Sequence, residues 1–252
     1  MFELLFNFLG LIIILLGVLL LIGFMLLARS GFKPALRPLR GYDSLQEQVG
    51  QAVESGGRVH VSLGPNSIIG EETATTLAGL AMLDITTERS AISDRPPIGT
   101  TADATTLPVL SDTMRRAYQR QGSPENFTPV SARLVALDAL TLAAGATGII
   151  ADDDVRANVL IGSFGSEVAL MAEAGARQHV TQTIGSDRLE GQAVSYVMAD
   201  SPLIGEELYA ARAYLTGEPS ATAGLAVQDV LRWVIIGFIL FGAVLQTLGL
   251  LQ

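Results

Sequence analysis

Arg58-Val59-His60-Val61-Ser62-Leu63 runs into Gly64-Pro65-Asn66-Ser67 and then into an apolar stretch from Glu71 to Asp84. A short run rich in valine, a Gly-Pro turn and a longer run carrying Leu77, Leu80, Met82 and Leu83 spell a strand, a turn and a buried helix. Upstream, Asp43 and Gln46 form a D-x-x-Q start signal, Leu45, Val49 and Ala52 share one helical face, and Gly56-Gly57 stops that helix. Downstream the alternation continues. Ile98 to Thr101 is extended, Pro108 suits a first helical turn, and Leu107, Leu110, Met114 and Ala117 keep helical spacing. Val130 to Leu137 is strand-like and Asp138 to Ile150 reads as an Ala- and Gly-rich helix. Asn158 to Gly162 is a strand, Ser166 caps a helix carrying Val168, Met171 and Ala172, and Val180 to Ile184 is a further strand. Ser186-Asp187 starts another helix, and Ile204, Leu208, Ala211 and Leu215 mark one more. Strands alternating with helices predict an α/β domain with a mostly parallel, Rossmann-like sheet of about five strands, covered on both faces.

Outside this core the hydrophobicity rises sharply. Half of the 252 residues are apolar (49%) and only 16% are charged, against about 25% charged in an average soluble domain. The excess lies at the two ends. From Leu4 to Leu27 only Asn7 is polar, and such a helix is roughly 36 Å long against a hydrocarbon core of about 30 Å. Glu3 is the only charge ahead of it, unlike the basic start of a cleaved signal peptide. From Trp233 to Leu251 only Gln246, Thr247 and the Trp233 indole are polar. The predicted organisation is a transmembrane helix over 1–28, a basic Pro/Gly linker over 29–41 with Gly31, Pro34 and Pro38, an α/β domain over 42–218, and a juxtamembrane helix continuing into a second span over 219–252.

Arg29, Lys33, Arg37 and Arg40 follow the first span, and Arg232 precedes the second beside Trp233. Basic residues flank spans on the cytoplasmic side, so the central domain is expected in the cytoplasm and both termini outside. Every Asp and Glu except Glu3 lies between Gly41 and Asp229, against eleven arginines, which leaves that segment at about −13. Such a surface repels nucleic acid and anionic headgroups, so a nucleic-acid partner is not expected. The chain has no cysteine, which excludes disulfides, thiol nucleophiles, iron–sulfur clusters and Cys-ligated zinc.

Ligands of open α/β sheets bind beyond the carboxyl ends of the strands. That edge should present Ser62, Asn66 and Ser67, then Thr100, Thr101 and Asp103, then Ser163 and Ser166, then Thr183, Ser186 and Asp187. Ser62, Asn66, Thr100, Asp103, Ser163, Ser166, Thr183 and Asp187 are the candidate ligand-binding residues. They offer hydrogen bonds but no strong base, so no catalytic residue, metal or cofactor is assigned. Gly162 to Ser166 opens a helix without being G-x-G-x-x-G or a P-loop, and Glu167 would oppose a phosphate. His60 and His179 read as structural, and Asp152-Asp153-Asp154 as a turn on the opposite edge. Neither a metal-binding Glu-x-x-His nor a G-x-S-x-G nucleophile elbow occurs. In the spans, Asn7, Gly10, Ile14 and Gly17 recur on one side of the first, and Gly242, Gln246 and Gly249 on one side of the second. Small residues of this kind allow helices to approach closely in lipid.

Leu39-Arg40-Gly41-Tyr42-Asp43, Gly56-Gly57-Arg58-Val59-His60-Val61-Ser62-Leu63-Gly64-Pro65-Asn66, Ala151-Asp152-Asp153-Asp154-Val155-Arg156 and Ala174-Gly175-Ala176-Arg177 resemble an uncharacterised family of bacterial two-span membrane proteins carrying a domain of unknown function. The resemblance implies a bacterial cell-membrane location and transfers no catalytic residues. Three functions fit the sequence. The first is a membrane-anchored scaffold that self-assembles into a homo-oligomer of cyclic symmetry through its spans and Ala- and Gly-rich helices such as Ala169 to Ala176. The second is a ligand-binding sensor or enzyme using the strand-end crevice. The third is an accessory subunit whose partners are other members of a membrane complex.

Overall fold

In a computed structural model of the protein, residues 2–29 and 36–248 are described, the side chains of 2–9 and 29 excepted. The chain forms two compact units, Met1–Arg37 with Arg212–Gln252 and Pro38–Ala211. The first unit holds α1 (Phe2–Arg29) and α9 (Pro219–Thr247), which pack against each other. Both are long and apolar enough to cross a membrane. Pro219 sits in the first turn of α9, where a missing N–H costs nothing, and the helix then continues unbroken to Thr247. Gly31, Lys33 and Pro34 of the expected linker lie outside the described residues, as does Gly249.

The second unit is an α/β fold around one sheet. Its elements are α2 (Arg40–Glu54), β1 (Arg58–Ser62), α3 (Thr73–Ser90), β2 (Ile98–Thr101), α4 (Thr106–Arg120), β3 (Ala132–Leu134), α5 (Ala139–Asp152), β4 (Val155–Gly162), α6 (Val168–Arg177), β5 (Thr181–Ser186), α7 (Leu189–Met198) and β6 (Ser201–Leu203). The short α8 (Ala211–Leu215) follows. The strands are all parallel, in the order β3-β2-β1-β4-β5-β6. Growth of the sheet therefore reverses between β1 and β4, and those two strands pair through Val61↔Val159 and Ser62↔Leu160.

The sheet has six strands, one more than expected. β6 is Ser201-Pro202-Leu203, pairing Ser201 with Thr183 and Leu203 with Gly185 of β5. A proline in the middle of three residues argues against a strand, yet an edge strand can leave one side unpaired and so tolerates it. Several boundaries also differ: β4 begins at Val155 and not Asn158, and α7 at Leu189 and not at Ser186-Asp187. α2 begins at Arg40 and takes Asp43 into its first turn, so Asp43 is not its cap. α3 runs on to Ser90, and Leu77 on it is 54% exposed where burial was expected. The strand expected from Val130 to Leu137 shrinks to Ala132–Leu134, because Pro129 opens a 3-10 turn just before it.

Side-chain alternation assigns the helices to faces. Gln182 of β5 reaches the Ala172 carbonyl of α6, while its neighbour Thr183 reaches Gln48 of α2. α2, α3 and α4 thus cover one face, and α5, α6 and α7 the other. The second face buries Leu142, Ala146 and Ile150 of α5 against Leu160, Phe164, Met171 and Ile184. Asp138 accepts from Leu140 N at 3.0 Å and starts α5 where the sequence expects.

The ends of β1 and β4 approach so closely that a Cβ on Gly162 would lie 2.4 Å from the Leu63 carbonyl oxygen. Gly162→Ala is expected to destabilise the protein by about 2 kcal/mol, in the range of core overpacking. Gly50→Ala, on the exposed side of α2 with open space around the new methyl, is expected to stabilise it by about 0.5–1 kcal/mol. Thermal unfolding of the detergent-solubilised full chain checks both; equal melting points for Gly162→Ala and the parent would contradict the close approach.

Candidate functional site

At the point where the sheet reverses, the chain leaving β1 turns at Gly64 with φ +72°, a conformation that suits glycine. The turn delivers Asn66, fully buried, across the end of β4. Its Oδ1 accepts the backbone N–H of Ser163 at 2.6 Å, and its carbonyl accepts the Thr106 hydroxyl at 3.0 Å. The acceptor role of Oδ1 fixes the amide orientation. Asn66 Nδ2 is left buried without a partner, as is Thr87 Oγ1 among the described residues, at a cost of about 1–3 kcal/mol for such a donor.

Ser163, held in place by Asn66, donates its hydroxyl to Asp187 Oδ2 at 2.7 Å. Thr75 of α3 donates to the same oxygen at 2.5 Å and meets the Tyr209 hydroxyl at 3.1 Å. The end of β4 and the first turn of α3 thus converge on one carboxylate just past β5, and the 3-10 turn Gly205–Ala210 joins them through Thr75. Ser163 and Asp187 were expected at this edge and are brought together. Thr75 and Tyr209 were not singled out, since neither stands in a pattern that marks it. This cluster can hold a hydroxyl- or amine-bearing ligand by hydrogen bonds, but both hydroxyls already serve the aspartate.

The remaining candidates are committed elsewhere. Asp103 is the cap of α4: it accepts from Thr106 N at 2.7 Å and Thr106 Oγ1 at 2.8 Å, and also from the Thr105 hydroxyl. Burial pushes its carboxyl up, and the hydrogen bonds from Thr105 and Thr106 outweigh that and hold it below the usual range. Ser62 Oγ accepts from Gly64 N at 3.3 Å and supports the turn. Ser166 is exposed and makes no cap. The Gly165 N–H at the entrance to α6 is taken by the Glu167 carboxylate at 2.7 Å, where an anion would have to sit.

Thr100 and Thr183 point into the two faces of the sheet and not toward the crevice. Thr183 donates to Gln48 Oε1 at 2.9 Å, and Gln48 Nε2 donates to Ser201 Oγ at 3.0 Å. On the other face a row runs across four strands. Thr100 Oγ1 donates to His60 Nε2 at 2.9 Å, and His60 Nδ1 donates to Asn158 Oδ1 at 2.7 Å. Asn158 Nδ2 then donates to Gln182 Oε1 at 3.2 Å, and Gln182 Nε2 to the Ala172 carbonyl at 2.9 Å. Gly175 leaves room for this row, since a Cβ there would lie 2.5 Å from Gln182 Oε1. The one-way polarity needs neutral His60, and burial holds its pKa down to about 4. His60 is therefore structural, as the sequence suggests; His179 is an exposed turn residue with φ +54°.

Asp153 pairs with Arg133 at 2.7 Å and Asp154 with Arg95. The acidic run is thus an ion-paired turn before β4, and among the described residues no group of three His, Cys, Asp or Glu could hold a metal. In the apolar helices, a Cβ on Gly10, Gly17 or Gly242 would meet nothing within 4 Å among the described residues. Gln246 is exposed, and the side chain of Asn7 lies outside the described residues.

A family model described as a domain of unknown function (DUF6754) matches residues 2–252. No curated protein and no solved structure matches the chain.

His60 gives the site region a pH signature. Unfolded histidine titrates at 6.5 and folded His60 at about 4, so between these values the unfolded state binds the extra proton. The contribution of neutral His60 is complete above pH 6.5 and is lost as the pH falls toward 4, on the order of 3 kcal/mol in all. Urea midpoints of the full chain at pH 7 and pH 4.5 should differ markedly more than those of His60→Gln. Equal pH dependence in the two proteins would contradict the neutral row.

Proposed function

The chain belongs to the DUF6754 family, and for it we propose a membrane-anchored scaffold that assembles with copies of itself through a Rossmann-like α/β domain. The observation that carries this reading is the outer surface of the α5–α7 layer. Leu137, Leu140, Leu189, Tyr196 and Val197 all stand exposed there. Monomers seldom display so many large apolar side chains on one layer, and such surfaces mark contact sites. The strand-end edge, by contrast, spends most of its polar groups on its own structure.

The two apolar helices fit a pair of spans in a bacterial cell membrane, with the α/β domain cytoplasmic and both termini outside. Arg37, Arg40 and Arg232 support that orientation through their place beside the spans. Gly10, Gly17 and Gly242, with open space for a Cβ among the described residues, suit contact with the helices of adjacent copies. Copies rooted in one membrane with one orientation favour closed cyclic symmetry. The lipid bilayer and further copies are then the partners, and other membrane proteins would join through the same exposed layer.

A second reading, a ligand-binding sensor or enzyme, is favoured by the convergence of Ser163 and Thr75 on the Asp187 carboxylate, with the Tyr209 hydroxyl on Thr75.

Native mass measurement of the detergent-extracted chain is expected to give a homomer of the 26.6 kDa subunit, with the mass unchanged by Ser163→Ala and Asp187→Asn. A sharp monomer would refute the scaffold, and a small molecule retained by the parent but lost from these two variants would favour the sensor. Protease added to inverted membrane vesicles should remove the central domain and spare it in intact cells; the reverse pattern would overturn the orientation.

A further inference from the structure

We infer that the α5–α6–α7 layer is a twofold self-association surface in which α7 of each copy seats in the α5–α6 groove of the other. The inference rests on the scaffold reading and specifies its contact.

The layer carries both halves of such a contact. On α7, Leu189 and Val197 are 80% exposed and Tyr196 is 75% exposed, and with Ala193 they fall at helical spacing on one outward stripe. Beside it, a groove of about 490 Å³ lies between α5 and α6, lined by Thr147, Gly148, Ala151, Leu170, Ala174 and Arg177 among others. Gly148, Ala151 and Ala174 in its lining are small, which leaves room for bulky side chains between the longer Leu170, Glu173, Arg177 and Gln178. Large side chains on one helix and a groove with Gly148, Ala151 and Ala174 in its lining on the neighbouring helices are complementary shapes on one surface.

Charge favours a second copy as the occupant. The domain is strongly acidic, so two copies repel over most of their surface. Of the outward residues of α5, Leu140, Thr141, Ala144, Gly145, Gly148 and Ala151 carry no charge, and Asp152 at its C-terminal end carries the single acidic one. Along the groove, Arg177 is neutralised by Glu173 at 2.8 Å, and at the start of α7 Arg188 lies 4.0 Å from Glu190. This layer is where identical acidic domains can meet with little repulsion, whereas a basic partner would seek the acidic surface elsewhere.

Geometry supplies the symmetry. α6 packs against both α5 and α7, and all three connect parallel strands, so they lie side by side and run in one direction. A twofold axis along α6 lays α7 over the partner's α5–α6 groove and, by the same rotation, the partner's α7 over this one.

The chain has no cysteine, so introduced thiols report cleanly. Gly148 has open space for a side chain and Tyr196 is exposed, so Gly148→Cys and Tyr196→Cys should leave the fold intact. The full chain carrying both, mildly oxidised in detergent, is expected to form a disulfide-linked dimer in at least tenfold greater yield than either single variant. Val197→Glu added to the pair is expected to abolish the link. A native homomer with no 148–196 link, or with equal linking by Tyr196→Cys alone, would overturn this interface while leaving the scaffold reading standing. A monomeric parent protein would overturn both.

Discussion

The hydrogen bond from the Ser163 amide to Asn66 Oδ1 joins the ends of β1 and β4 where the sheet reverses its order. At that point successive connections must leave for opposite faces, and in open α/β folds the divergence normally leaves a crevice for a ligand. Here a side chain from one connection crosses over and closes on the backbone of the other. Gly162 permits the closure by letting β4 come within contact of the Leu63 carbonyl. The closure strands Asn66 Nδ2 in the interior, so it is retained at a local cost. It also fixes Ser163, which in turn orients its hydroxyl on Asp187. The edge where chemistry would be sought has become part of the framework.

Two buried polar rows extend that framework sideways. Thr100, His60, Asn158 and Gln182 tie β2, β1, β4 and β5 together on one face, while Gln48, Thr183 and Ser201 join α2, β5 and β6 on the other. A parallel sheet buried on both faces would otherwise rest on nonpolar contacts that tolerate slippage. A row of directional hydrogen bonds is satisfied in one register only, since any shift would leave several buried donors unpaired. The resulting domain is internally committed at this edge, while its outward α5–α7 layer leaves Leu140, Leu189, Tyr196 and Val197 exposed. That contrast, committed edge and uncommitted layer, is what supports the proposed assembly.

Much of the fold was legible because local signals agreed. The valine run before Gly64-Pro65, the Asp138 cap and the apolar terminal stretches each state their structure over a few residues. β6 was not legible, since Pro202 denies a strand to any reading that lacks the edge position. Leu77 follows helical spacing but faces outward, which only packing decides. Within the candidate site, Ser163 and Asp187 were found because both follow strands. Thr100 and Thr183 were misplaced because position near a strand end does not tell which way the side chain alternates. Thr75 reaches Asp187 across 112 residues and Tyr209 across 134, which no local pattern encodes. Ser166 resembles a helix cap in every local respect, yet α6 starts beyond it and Glu167 takes the nearby Gly165 N–H.

The sealed junction of β1 and β4 is tested most directly by amide hydrogen exchange at Ser163 in the intact, detergent-solubilised chain. If Asn66 closes the junction, the Ser163 amide exchanges only when the sheet opens, with the same protection as Val159 to Ile161 in the body of β4. Exchange at the rate of an exposed loop, while Val159 to Ile161 stay protected, would show an open crevice and contradict the account.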